Sequence, residues 1–168
     1  MNSPVLTGLP PIVGGNPRLL ILGNMPSVMS LAAQHYYGNP QNAFWRVMGA
    51  LYGLDPDGPY ELRVTALVAN GVAVWDVLRS CRRVGSLDSA VERDSMVAND
   101  FASFFHNHPT IERVYFNGGA AEANYRRLTD VQAPLIYRRL PSTSPAHTVP
   151  VATKLAAWRD ALGTRPGQ

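Results

Sequence analysis

The 168-residue sequence is 46% hydrophobic, 16% charged and 9% aromatic, with a formal net charge of +3. That is enough chain for one domain with a substantial core, and a disordered segment would carry more charge and fewer core formers. The absence of any apolar run of 18 residues excludes a membrane-spanning helix, the N-terminus shows no charged-then-apolar leader, and the single Cys81 rules out an internal disulfide, a tetrathiolate zinc site and an iron–sulfur cluster.

In chain order, residues 1–17 hold Pro4, Pro10, Pro11 and Pro17 with Gly8, Gly14 and Gly15, an extended lead-in to one domain spanning 1–168. Arg18–Leu22 is a short apolar run stopped by Gly23, the pattern of a buried strand. Residues 24–41 lack periodicity and read as a long loop or an irregular first turn. From Asn42 onward, Phe44, Val47, Met48 and Leu51 fall at i, i+3, i+4 and i+7, one face of a helix closed by Gly53. A second helix is predicted over 60–69, ending at Asn70-Gly71. Val72–Trp75 is a strand with Asp76 just past its end, and the Arg-rich stretch 79–91 reads as a surface loop. Residues 94–107 suit a helix stopped by Pro109; Ile111–Phe116 is a strand, and Asn117-Gly118-Gly119 turns it into a helix running to about 128. Pro134–Tyr137 is the last strand, followed by a loop from Arg138 to His147. Thr148 is placed to cap a final helix near 149–162.

Four strands separated by helical stretches predict an α/β fold, a three-layer α/β/α arrangement around a central four-stranded parallel sheet. Ligands of such sheets bind beyond the carboxyl ends of the strands. That rule selects Gly23–Ser27, Trp75-Asp76, Asn117–Gly119 and Leu140–His147 as the places where a site forms.

Three stretches there carry chemistry. In Gly23-Asn24-Met25-Pro26-Ser27, small residues let backbone N–H groups approach a ligand, although no Gly-Lys-Ser/Thr follows and it is not a phosphate loop. The segment from Tyr36 to Trp45 is dense in aromatic and amide side chains, which suits a planar heterocycle stacked on a ring and hydrogen-bonded at its edge. Phe44 and Trp45 serve equally as core residues, and Asn42 is able both to cap a helix and to aim its amide into a cleft. In Leu140-Pro-Ser-Thr-Ser-Pro-Ala-His147, two prolines stiffen a loop whose Ser142, Thr143 and Ser144 hydroxyls could bond a backbone phosphate. His147 reads as a phosphate-facing or solvated residue as readily as a general base, and no Gly-x-Ser-x-Gly elbow marks a serine hydrolase.

Together these segments resemble the uracil-DNA glycosylase superfamily, and within it the hypoxanthine-DNA (deoxyinosine) glycosylase branch, family 6. The resemblance runs from about Arg18 to Trp158. It rests on the Gly-x-x-Pro motif at 23–26, the Asn-Pro-x-Asn-x-Phe-Trp stretch at 39–45 and the Leu-Pro-Ser-Thr-Ser-Pro-Ala motif at 140–146. Two positions depart from the commoner superfamily pattern. Met25 stands where most members place an Asp or Asn that positions water, and Leu140 where they place a base-stabilising His or Asn. A chain lacking both is expected to be a poor uracil-excision enzyme by the usual route.

The resemblance implies that Asn42 supplies the catalytic amide. It also implies that Gly23, Asn24, Met25 and Pro26 border the base, with Tyr37 stacking on it, Asp76 reading its edge and Asn117 lining the same cleft. For Tyr37 a core role, and for Asp76 a helix cap or surface ion pair, fit the residue types equally. Ser142, Thr143, Ser144 and His147 would contact DNA phosphates. The implied activity is hydrolysis of the N-glycosidic bond of a deaminated base, most readily hypoxanthine, with no metal and no cofactor. The only lysine, Lys154, falls in the final helix rather than a site loop, so no amine for strand cleavage is expected and an abasic site is left. DNA is the expected partner, with a monomeric protein, a cytoplasmic location and no membrane. Three alternatives stay open: a uracil or thymine mismatch glycosylase using Asn24, a module that binds damaged bases without cutting, and a nucleotide-binding α/β protein unrelated to DNA.

Overall fold

The computed structural model describes residues 3–131 and 133–163. The first two residues of the lead-in lie outside the described residues. In chain order the elements are β1 (Val5–Thr7), β2 (Leu19–Gly23), α1 (Val28–Ala33), α2 (Phe44–Tyr52), α3 (Tyr60–Ala69), β3 (Val72–Asp76), β4 (Leu78–Arg82), β5 (Val97–Ala98), α4 (Phe101–Asn107), β6 (Arg113–Asn117), α5 (Gly119–Leu128), β7 (Ile136–Leu140) and α6 (Val151–Leu162). No helix among the described residues is long and apolar enough to cross a membrane.

The predicted four-stranded parallel sheet is present, in the order β3-β2-β6-β7. Its centre is the apolar run of β2, buried along its whole length as a strand covered on both faces must be. Side chains alternate between those faces. Leu19 and Ile21 join a core with Phe44, Val47, Met48, Leu67 and Trp158 from α2, α3 and α6. Leu20 and Leu22 join a second core with Phe101, Phe104, Phe105, Ala121 and Tyr125 from α4 and α5. Helices therefore cover both sides, which makes the three layers.

Several boundaries differ from the sequence-based expectation, each for a physical reason. The stretch 79–91 is not simply a loop, because β4 pairs antiparallel with β1 and with β5 in a second, three-stranded sheet. The helix predicted over 94–107 begins only at Phe101, where Asp100 caps it by accepting from Ser103 N at 3.1 Å. Strand β7 extends through Leu140 into the predicted loop, since parallel pairing with β6 continues from Tyr115–Arg138 to Asn117–Leu140. Arg138 and Arg139 are tolerated there because β7 is an edge strand with exposed positions. The final helix starts at Val151 behind Pro150, not behind a Thr148 cap. Within 24–41 a short helix forms, its first turn capped by Ser27, whose side chain accepts from Ser30 N at 3.1 Å.

Register is what builds a site from this sheet. Gly23 pairs with Asp76, and Asn117 pairs with Leu140, so the carboxyl ends of all four strands finish on one level.

Candidate active site

Above that level lies a cleft of about 600 Å³, and every residue to which the resemblance gives a catalytic, base-binding or phosphate-binding role lines it: Gly23, Asn24, Met25, Pro26, Tyr37, Asn42, Asp76, Asn117, Ser142, Thr143, Ser144 and His147. What each can do there depends on which of its polar atoms are already engaged.

Asp76 ends β3 with only 4% of its surface exposed, and its Oδ2 is buried without a hydrogen-bond partner among the described residues. An unpartnered buried carboxylate oxygen is costly, and such groups concentrate where a ligand completes them. The carboxyl is pushed up to about 7, first by burial and then by the nearby Asp88, with Arg83 pulling the other way. Near neutrality it is therefore present both as the acid and as the carboxylate. The alternatives of helix cap and surface ion pair do not describe a side chain this buried.

Gly23 explains how Asp76 reaches its place. A Cβ on Gly23 would lie 2.4 Å from Asp76 Oδ1 and 3.0 Å from Tyr37 Oη, so only glycine lets the strand end pass beneath both groups. For the lesion-containing DNA that the family resemblance implies as substrate, Gly23→Ala is expected to displace the Asp76 carboxyl and to raise KM by roughly tenfold or more, about 1.4 kcal/mol per tenfold. Steady-state kinetics check this, and an unchanged KM would show that the close approach is unimportant.

Tyr37 holds φ at +54°, a left-handed conformation that bulky residues rarely adopt. Strain of this kind persists only where the surroundings enforce it. Here one ring face stacks on Phe44 at a centroid distance of 4.0 Å, and the hydroxyl accepts from Asn117 Nδ2 at 3.1 Å. Phe44 itself is fully buried core, so the stack fixes Tyr37 on a rigid floor.

Two amides turn out to be structural clamps. Asn117 Nδ2 donates to Tyr37 Oη and to Thr143 Oγ1, while its Oδ1 accepts from Thr143 N at 2.9 Å. Asn24 Nδ2 donates to Asp88 Oδ1 at 3.0 Å, and its Oδ1 accepts from Asn124 Nδ2 at 2.8 Å. Asn42 is different. Its Oδ1 accepts from Phe44 N at 2.9 Å, which steadies the turn before α2, while its Nδ2 has no partner among the described residues. The N-cap position itself belongs to Ala43. A half-buried amide with an idle donor and one spare lone pair on the oxygen can orient a water molecule.

The loop 141–147 is anchored from beneath. Thr143 is 1% exposed, and its carbonyl accepts from Ala43 N at 3.0 Å. Lys154 Nζ donates to Ser144 O at 2.9 Å and Trp158 Nε1 to Pro141 O at 2.9 Å. Buried Lys154 is held below its ordinary pKa by desolvation first and by Arg46 second. Thr143 thus serves the loop's shape and does not reach outward to a phosphate. Ser142 and Ser144 each accept a backbone N–H, from Ser144 and Ala146, and keep their own hydroxyl hydrogens to donate. His147 stands exposed at the rim.

Met25 borders the cleft and, 8% exposed, belongs to the core cluster that holds Leu20, Leu22 and Val77. Leu140 is likewise core, 2% exposed. The two departures noted in the sequence are therefore apolar plugs. Among the described residues, no group of three or more His, Cys, Asp or Glu side chains is placed to hold a metal ion.

Sequence reasoning missed one wall. Ser86, Leu87, Asp88 and Ser89 border the cleft, brought there by β4 and tied to the first motif through Asn24 and through Ser86 Oγ, which accepts from Val28 N at 2.9 Å. Asp88 as a residue is exposed at the rim, yet its carboxyl lies against the wall and sits above the usual carboxylate range. Desolvation outweighs the lowering by Asn24 and Arg83. The available signal was a lone leucine inside the small, polar run Gly85–Ser89.

The family model of the uracil DNA glycosylase superfamily matches residues 10–162. A hypoxanthine DNA glycosylase from Methanosarcina barkeri is 35% identical over 112 residues, 66% of this chain and 70% of that protein. Another, from Methanosarcina acetivorans, is 37% identical over 115 residues, 68% of this chain and 72% of that one. A solution NMR structure of a candidate uracil DNA glycosylase from Methanosarcina acetivorans superposes with a TM-score of 0.74 at 32% identity, covering 93% of this chain and 98% of that one. With its parallel sheet, its cleft at the strand ends and these matches, the chain belongs to the uracil DNA glycosylase superfamily.

Proposed function

We propose that the protein is a monofunctional DNA glycosylase that hydrolyses the N-glycosidic bond of deoxyinosine and releases hypoxanthine. The observation that carries this reading is the buried, unpartnered Oδ2 of Asp76 at the level where a flipped base would lie over Tyr37. In its neutral form the Asp76 carboxyl presents one acceptor and one donor side by side. That pair complements the N1–H and O6 of hypoxanthine. The names of the Methanosarcina relatives support the same substrate class.

The chemistry follows from the groups present. The nucleotide leaves the stack and enters the cleft. Water held by Asn42 bonds through its oxygen to C1′ as the C1′–N9 bond breaks, and the bonding pair departs with the base. The attacking water loses a proton and the released base gains one, so the sum is addition of water. A neutral amide suffices because the oxocarbenium-like sugar is already strongly electrophilic. Negative charge growing on the base spreads to O6, where the Asp76 hydroxyl donates a hydrogen bond. The N–H groups of Asn24 and Met25, in the cleft-lining stretch and without backbone partners among the described residues, supply further donors. Adenine has no 6-oxygen to carry that charge, which disfavours it as a leaving group. The sole lysine amine is bonded to the Ser144 carbonyl beneath the loop and does not border the cleft. Strand cleavage through a Schiff base is therefore not part of this activity, and an abasic site is the product.

Purified protein incubated with duplexes containing inosine, uracil or xanthine, followed by hot alkali, tests the reading. Cleavage at inosine well above uracil is expected, with strands intact before alkali. Efficient cleavage at uracil and none at inosine would overturn the substrate assignment. Tight binding to inosine without turnover would instead make this a binding module.

A further inference from the structure

We propose that Leu87 is the apolar wedge that fills the base stack when a nucleotide turns out into the cleft, an inference that rests on the glycosylase reading above. Removing a base from a duplex leaves a gap, and proteins that distort DNA in this way insert an aliphatic or aromatic side chain to occupy it. The loop 144–147 at the cleft mouth carries no long aliphatic side chain, since Ser144, Pro145, Ala146 and His147 are small, cyclic or polar. Leu87 borders the cleft and is 56% exposed.

A single exposed leucine is ordinary on a protein surface. What sets Leu87 apart is how firmly its backbone is held while its side chain stays in solvent. On one side Arg83, itself 3% exposed, donates from Nε to Gly85 O at 2.6 Å and from Nη2 to Pro26 O at 2.7 Å. Ser86 Oγ accepts from Val28 N on the neighbouring helix. On the other side Asp88 is bonded to Asn24, and Leu87 O accepts from Ala90 N at 3.0 Å. The tip is thus fixed to the loop that borders the base, so that little conformational freedom is lost on entering the stack. Val28, on the helix bonded to this loop, is also exposed, at 52%, giving an apolar shoulder better suited to base and sugar surfaces than to phosphates.

The test compares Leu87→Ala with the unaltered protein on inosine in duplex and in single-stranded DNA. Excision from duplex is expected to fall roughly 10- to 100-fold, the rate equivalent of a few kcal/mol of unstacking energy. Excision from single strands, which present no stack to fill, is expected to change by less than about threefold. Leu87→Met should restore the duplex rate. A second readout does not depend on excision: 2-aminopurine placed beside a tetrahydrofuran abasic analogue in duplex should change its fluorescence when the unaltered protein binds at saturation, and not when Leu87→Ala binds. Equal losses on both kinds of DNA, an unchanged duplex rate, or an unchanged fluorescence response in Leu87→Ala would each overturn the wedge. If the unaltered protein excises inosine from neither substrate, the glycosylase reading fails on its own and the fluorescence still decides Leu87.

Discussion

Replacement of Asn42 by alanine is expected to slow single-turnover release of hypoxanthine from duplex DNA by roughly 100- to 1000-fold, the range seen when one preorganised polar group is removed from a reaction centre. Asn42 Nδ2 is an idle amide donor at the cleft, while its oxygen is only half used by Phe44 N. Losing that backbone acceptor costs about 1 kcal/mol of stability, too little to unfold a domain of this size. Asn24→Ala is the informative contrast. Its amide links Asn124 on α5 to Asp88 on the far wall, so its loss should lower the melting temperature and leave the rate per folded molecule much less affected. Rapid-quench measurements beside thermal melts separate the two. Should Asn42→Ala keep its rate within about threefold while Asn24→Ala loses it, the water-positioning role passes to Asn24, and with it the case for a uracil or mismatch glycosylase strengthens.

Asp76→Asn should make the protein more stable and less sensitive to pH at the same time. The folded carboxyl titrates near 7 against an ordinary value of 3.8, because ionising it means charging a buried site beside Asp88 with only partial relief from Arg83. A raised carboxyl favours folding while protonated. That contribution is complete below pH 4, is lost progressively as pH rises, and is gone above about 7. The amide does not ionise, so its advantage grows over the same window to roughly 2–4 kcal/mol, or about 5–10 °C in melting temperature at pH 8. Melting curves at pH 4.5 and pH 8 measure it directly.

On the proposed reading, activity should move with the same group. Deprotonation removes the donor to O6 and sets a negative charge against a departing anion, so kcat/KM should fall about tenfold per pH unit above neutrality. An asparagine keeps one donor and one acceptor at every pH, and Asp76→Asn should flatten that limb. A profile that instead rises through pH 7 would mean that the carboxylate, not the acid, reads the base.

The sheet and its site were legible in the sequence for a common reason. A strand covered on both faces must be apolar throughout, as β2 is, and the small and polar residues that interrupt such runs mark the ends where ligands bind. The stretches chosen that way bring Gly23–Ser27, Asp76, Asn117 and Ser142–His147 to one cleft, whereas Tyr37 and Asn42 were marked by the aromatic- and amide-rich segment and the family resemblance. What stayed hidden depends on contacts distant in sequence. The pairing of Val5–Thr7 with Ser80–Arg82 leaves no local periodicity, so the wall carrying Leu87 and Asp88 read as plain surface loop. Residue type alone also could not separate Asn42, whose amide is half free, from Asn24 and Asn117, whose amides are engaged at both ends. Thr143 belongs with them: its hydroxyl suggested phosphate, and only its burial shows that it faces inward.

The bonds from Lys154 and Trp158 to the loop 141–147 carry a consequence for how the enzyme is made. The part proposed to grip the DNA backbone is propped by α6, the last helix of the described chain, while the proposed catalytic amide of Asn42 and the proposed base-reading acid of Asp76 come from segments translated far earlier. During synthesis the sheet can therefore assemble before the cleft is complete. An unfinished chain would hold Asn42 and Asp76 but lack the support for the loop 141–147. Ribosome-bound intermediates that have not yet released α6 should therefore be unable to capture damaged DNA, whatever fraction of the core they have formed.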